Sequence, residues 1–236
     1  MPPPWQIFRP NQAGVQMTKP GRSPWLGPEP ADLALILAAD CSGSVSNEDL
    51  MLQLRGYADA ITSEEVMSAV RSGRHGRIGL TFVAWSGASR QDQLVPWKLI
   101  EHAAAAADFA ARLLGAPHPM PGYTSISGAI DFSVSLLARC DFVSERQVID
   151  VSGDGVNNDG RPVAEARDAA MAAGITINGL PIVRRDVQVA AYYAQNVIAG
   201  PAAFLVVAAE MASFHSAVLR KLVTEIATGP MAGAAA

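Results

Sequence analysis

The sequence predicts an α/β protein with a Rossmann-like, doubly wound and mostly parallel central sheet, one short antiparallel edge strand, and helices on both faces. Three observations carry this. From Asp32 onward, short aliphatic runs alternate with segments of helical period, the mark of a parallel sheet covered on both sides. The first run, residues 33–39, is apolar at every position, as a strand buried on both faces requires. Two of the runs end in clusters of Asp, Ser and Gly, at residues 40–44 and 152–155, and ligands of open α/β sheets gather outside the carboxyl ends of strands.

Residues 1–30 hold half of the 16 prolines, with Trp5, Phe8 and Trp25 among them. Proline removes donors and restricts the chain, so this stretch reads as an extended tail or linker. The folded domain is expected over residues 31–228, followed by a short tail, 229–236. After the first strand, Ser46 and the acids Glu48 and Asp49 mark a helix start. Leu50, Leu54, Tyr57, Ala58 and Ile61 then repeat with helical spacing. Ser63, Glu64 and Glu65 open a second helical piece ending near Gly73. Residues 77–85 form the next buried strand. Residues 91–95 follow after too short a turn for a parallel crossover, so they are expected as the antiparallel edge strand. An alanine-rich helix over 100–114 is broken by the prolines of 117–121, and a helix over 126–139 buries Ile130, Val134 and Leu137. A fourth strand over 146–152, a helix over 162–173 with Pro162 in its first turn, and a fifth strand over 175–182 come next. Residues 187–195 read as a short helix, 204–208 as a final strand, and 211–227 as a final helix with Phe214, Val218, Leu222 and Ile226 on one stripe.

A chain of 236 residues, half of them apolar, suffices for one such domain with a sizeable core. The formal net charge of −4 and the scattered basic residues leave no nucleic-acid footprint, which calls for a concentrated Lys/Arg face. No apolar run approaches the roughly 20 residues of a membrane-spanning helix. The amino terminus lacks the basic start and apolar stretch of a secretory signal, so the chain as written is expected in the cytoplasm, or in the periplasm or outside the cell if its start is mis-assigned. Four dispersed histidines and two cysteines make neither a zinc cluster nor a disulfide framework.

The chemistry is expected at the strand ends. Asp40, Ser42 and Ser44 alternate past the first strand, Thr124 stands before a helix in the 121–125 loop, and Asp154 follows another apolar strand. Each alone reads as a capped turn or a helix cap. Together they offer hydroxyl and carboxylate oxygens, the ligands that hard divalent cations prefer.

In this order Asp40-x-Ser42-x-Ser44, Thr124 and Asp154 resemble the metal-ion-dependent adhesion site of von Willebrand factor A-type domains. More narrowly, residues 148–155, Tyr192-Tyr193, Ala203-Phe204 and 221–227 resemble a bacterial branch known only as a domain of unknown function. The resemblance implies a Mg2+ or Mn2+ site in which Ser42 and Ser44 coordinate directly, Thr124 coordinates directly in one state, and Asp40 and Asp154 coordinate directly or through water. It implies a partner-binding rim of Gly43, Tyr123, Ser125, Gly155, Asn157 and Asn158. The expected function is cation-dependent binding of a protein partner that presents Asp or Glu, without turnover of a substrate; a movement of the last helix as coordination changes, which occurs in some relatives, is a hypothesis that the resemblance raises. The same fold would keep Cys41 at the metal face and Cys140 near the far end of the helix after Thr124, as two free thiols.

Two alternatives remain. Residues 153–159 also resemble the late acidic motif of haloacid-dehalogenase-like, Mg-dependent phosphatases, with Asp40 as nucleophile and Asp154 as a metal ligand. Ser42 stands where that family has its second acid, and Arg139 or Arg146 would have to replace its lysine. The other alternative is a scaffold with the same fold and no metal. No Gly-x-Ser-x-Gly elbow and no phosphate loop ending in Lys-Ser/Thr occurs.

Overall fold

The structure, a computed structural model, describes residues 28–117, 119, 121–183 and 187–228. Most of the expected amino-terminal tail, with Trp5, Phe8 and Trp25, and the whole carboxyl-terminal tail lie outside the described residues, as does His118.

The central sheet is built from β2 (Leu33–Asp40), β3 (Ile78–Trp85), β4 (Gln91–Ile100), β6 (Gln147–Gly153) and β7 (Thr176–Pro181). Its order is β4-β3-β2-β6-β7, parallel throughout except for β4 against β3. A two-residue ladder precedes it: β1 (Pro30–Ala31) runs parallel to β5 (Val143–Ser144). Pro30, expected in the tail, is therefore part of the ordered domain. It is tolerated there because proline can begin a strand without donating to the ladder.

Alternate side chains of β2 feed two cores. Leu33, Leu35, Leu37 and Ala39 face α1 (Asn47–Thr62), α2 (Glu64–Ser72), α3 (Ala103–Leu114) and α7 (Met211–Ala227). Ala34, Ile36 and Ala38 face α4 (Ile126–Leu137), α5 (Val163–Ala172) and the segment after α6 (Gln188–Tyr192). The strand is buried at all positions because both faces are covered. On the α1 side Tyr57 meets Phe82 and Phe214 edge-on, with ring centroids 5.2 and 5.6 Å apart. Its hydroxyl donates to Ser152 Oγ at 3.1 Å. Among the described residues no helix is long and apolar enough to cross a membrane.

Three expectations need correction. The antiparallel strand is not short: β4 runs from Gln91 through Pro96 to Ile100, and the alanine-rich helix begins only at Ala103. Pro96 fits because β4 is an edge strand whose register against β3 shifts around Phe82, so no ladder bond is asked of it. The helix after β7 is also not uniform. α6 gives way at Tyr193 to a π-helical turn, Tyr193–Val197, in which Ile198 N donates to Tyr193 O at 3.1 Å. Finally, residues 204–208 make separate parallel bridges to β7, Leu205 with Gly179 and Ala208 with Ile182, rather than a regular strand. Asn178 contributes to this irregularity by accepting from Phe204 N on its side-chain oxygen at 2.9 Å.

α7 carries Phe214, Val218, Leu222 and Ile226 into the core as its stripe predicts. The same face also buries Lys221 and Glu225 completely. Lys221 Nζ lies 2.8 Å from Asp150 Oδ1 on β6, an ion contact off the hydrogen-bond line, and it donates to Glu225 Oε1. Asn178 Nδ2 donates to the same Glu225 oxygen at 3.0 Å. Arg146, just before β6, donates to the carbonyls of Glu225 and Ile226 at 3.0 and 3.3 Å and so holds the end of α7.

Candidate metal edge of the sheet

β2 has β3 on one side and β6 on the other, so the chain's connections diverge there. This is the switch point at which open α/β sheets hold ligands, and Asp40 ends that strand. The Asp40 side chain is fully buried. Ser42 N donates to its Oδ1 at 2.7 Å, which turns the 40–44 loop back over the strand end. Ser42 and Ser44 then bring their hydroxyls within 3.2 Å of each other. Ser44 Oγ donates to Asp154 Oδ1 at 2.6 Å, joining the loop after β2 to the loop after β6.

The third loop is fastened to the first two through the backbone. Gly43 N donates to Gly122 O at 2.9 Å, and Asn158 and Asp159 both donate their N–H to Thr124 O. Asn158 Oδ1 accepts from Thr124 N at 2.9 Å. Thr124 is buried, and its Oγ1 lies 3.8 Å from where a side chain on Gly155 would begin. The structure thus brings Asp40, Ser42, Ser44 and Asp154 into one hydrogen-bonded chain, with the Thr124 side chain beside Gly155.

Asp40 Oδ2 is buried and has no hydrogen-bond partner among the described residues. Burial raises the Asp40 carboxyl to about 7; bonds from Ser42 oppose this, and the nearby Asp154 adds to it. A carboxylate with that environment lacks positive charge. Among the described residues no three His, Cys, Asp or Glu side chains cluster closely enough to hold a metal. Any cation here therefore depends on hydroxyls plus two carboxylates, a donor set suited to a hard ion rather than to one seeking nitrogen or sulfur.

The rim residues divide. Gly43 and Asn158 are exposed, Tyr123 is 73% exposed, and Gly155 and Asn157 are half-buried. Ser125 is no rim residue: it is fully buried and caps α4, accepting from Gly128 N at 3.2 Å and donating to Asp159 O at 2.9 Å. The helix needs an oxygen at that position for its free N–H groups, which draws Ser125 inward. Asn157 and Asn158 are likewise brackets: Asn157 Oδ1 accepts from Ser127 N at 3.0 Å.

Two residues escaped the sequence reading. Arg90, in the turn between β3 and β4, lines a groove of about 390 Å3 with Gly122, Tyr123 and Asp159; among the described residues its guanidinium makes one long contact, 3.4 Å, to Pro121 O. No motif marks it, because the turn reaches the edge only through folding. Tyr193 lies beneath Asp40; its family likeness was visible, its position was not.

Cys41 is buried and donates to Trp85 O at 3.2 Å. Burial, then Asp40 and Asp92, push its thiol up to about 12, far from a reactive thiolate. Cys140 lies past the end of α4, and both thiols are free. The cations required by the phosphatase alternative are elsewhere. Arg139 binds back to Ser135 at the far end of α4, and Arg146 stands before β6, at the end opposite Asp40, holding α7.

Residues 30–230 match the family described as Protein of unknown function (DUF1194). No curated protein matches. Among solved structures, the mussel byssus proximal thread matrix protein 1 with a zinc-occupied MIDAS motif is 12% identical with a TM-score of 0.60, covering 83% of this chain and 46% of that one. The von Willebrand factor type A protein from Catenulispora acidiphila is 13% identical with a TM-score of 0.58, over 84% of this chain and 42% of that one. The vWF domain of the type V pilus tip protein Mfa5 from Porphyromonas gingivalis is 9% identical with a TM-score of 0.57, over 83% of this chain and 95% of that one. The chain spans less than half the length of the first two. These likenesses establish the von Willebrand A-type fold.

Proposed function

Since the chain belongs to the family described as Protein of unknown function (DUF1194) and has a von Willebrand A-type fold, we propose that the Asp40 edge binds a divalent cation, Mg2+ or Mn2+. Through it the edge binds a carboxylate of a protein partner. Ser42, Ser44 and Thr124 supply hydroxyl ligands, and Asp40 and Asp154 coordinate directly or through water. The observation that carries this reading is the fully buried Asp40 carboxylate, whose Oδ2 has no partner, at the head of a chain of oxygens reaching Asp154. An ionised group in that position is costly unless a cation stands by it.

When bound, the cation supplies a Lewis-acidic position open to a carboxylate oxygen. The rim around it suits an acidic partner: Tyr123 offers an exposed aromatic surface, and Arg90 a guanidinium with little else to hold. The mussel protein's zinc-occupied MIDAS supports cation binding on this fold, and the pilus-tip domain supports a role in interaction rather than turnover.

Thermal unfolding with rising Mg2+ or Mn2+, comparing the natural protein with Asp40→Ala, tests the site. A ligand at 100 times its dissociation constant stabilises the folded state by about 2.7 kcal/mol, so the natural protein should melt later and the variant should not respond. If neither protein responds, the metal-free scaffold replaces this reading. Where the shift is seen, capture of a partner should be abolished by a chelator.

A further inference from the structure

Asp40 is not alone in lacking a partner at this edge. The phenol oxygen of Tyr193 is also buried without one among the described residues. Both approach the same place: a side chain on Gly153 would begin 2.7 Å from Tyr193 Oη and 2.9 Å from Asp40 Oδ2. The two oxygens thus converge on one point over Gly153 at the end of β6, each within 3 Å of where a side chain there would begin.

The surrounding chain is cut to admit this tyrosine. Gly153 on β6 and Gly179 on β7 are both bare on the face that receives it. At Gly179 an added carbon would stand 3.0 Å from Tyr193 Cδ1, at Gly153 nearer still to the hydroxyl. The helix carrying Tyr193 changes to a π-helical turn at that residue, a local irregularity frequent at functional sites. Tyr193 is fully buried.

A buried hydroxyl that bonds to nothing is destabilising, and phenylalanine would fill the same slot without that cost. Packing alone gives no reason for the oxygen. We propose that Tyr193 is a positioning residue of the cation site: when a cation is bound, its hydroxyl donates to Asp40 Oδ2 and fixes the carboxylate while Ser42 N holds Oδ1. This rests on the cation-binding reading above. Hydrogen bonds behind a metal ligand orient it and tune its affinity.

The test is Tyr193→Phe, with Mg2+ and Mn2+ affinity measured by calorimetry and metal-free stability by thermal unfolding. The expected result is a loss of affinity of about tenfold or more, with the metal-free protein melting no earlier than the natural one. In the natural protein labelled with 13C at the tyrosine ring, the Tyr193 resonance, identified by its absence in the variant, should move on addition of metal. Equal affinity in the two proteins overturns the inference while leaving the cation site intact. A parallel fall in metal-free stability overturns it too, since that is the signature of a packing role. A natural protein that binds neither ion defeats the cation reading itself, and with it this one.

Discussion

Asp150 is a carboxylate that shares one ammonium with a second acid in the interior of the domain. Lys221 can balance one charge, yet both Asp150 and Glu225 reach it, and Asp150 is only 1% exposed. Burial, and then the charge of Glu225, raise the Asp150 carboxyl from 3.8 to about 7, against the opposing pull of Lys221. In the unfolded chain it ionises near its ordinary value, so between pH 4 and 7 the unfolded state releases its proton first. Its contribution to stability is therefore full below about pH 4 and is lost as the pH rises to 7. Urea midpoints measured across that range should fall more steeply for the natural protein than for Asp150→Asn. At this scale the sequence was partly legible. Asp40, Ser42, Ser44 and Asp154 converge as their order suggested, since each follows a strand that ends at one edge. Ser125 was misplaced because a hydroxyl beside a metal-loop threonine and a hydroxyl capping a helix look alike until the helix start is known. For the Lys221 cluster the family likeness was visible but the burial was not: Lys and Glu four residues apart normally mark a solvated face, and only the packing of α7 against β6 turns them inward.

Among the elements, α7 is the one whose expected behaviour the structure constrains most. The resemblance raises a movement of this helix with the metal as a hypothesis; in the structure it is tied to the sheet at three points: Lys221 to Asp150, Glu225 to Asn178, and its last carbonyls to Arg146. Lys221 Nζ also lies 4.9 Å from the centre of the Phe204 ring, which gives the ammonium a second favourable neighbour. Removing the cation leaves two buried carboxylates facing each other. Lys221→Met should cost about 3–5 kcal/mol in urea unfolding, and Asp150→Asn added to it should recover part of the loss. The helices with clear caps and apolar stripes were legible almost to their ends: Ser46 and Ser63 cap α1 and α2 as expected, and α7 spans the predicted residues. The strands near prolines were not. Pro96 hid the second half of β4, and Pro201 with the Asn178 side-chain bond broke up the segment after it, because edge strands follow the partner beside them more than their own propensity.

Taken whole, the described residues gather the proposed site at one edge of the sheet. The carboxyl ends of β2 and β6 carry the oxygens, and the turn between β3 and β4 brings in Arg90. This arrangement follows from the divergence of connections at β2, which is why the fold class could be read from alternating periods and the convergence of Asp40 and Asp154 from two strand ends. The long edge strand has a further consequence, for solubility. An unpaired strand is a template on which another chain can add its own. On β7 that template is taken up by the irregular segment bridging at Leu205 and Ala208. On β4 it is interrupted by Pro96, exposed and lacking a donor, where the register also shifts. Pro96→Val would restore a continuous row of donors and acceptors, and light scattering should then show particles growing with concentration where the natural protein shows none. The proline that obscured the strand in the sequence is, by this account, the residue that keeps copies of the protein from joining their sheets.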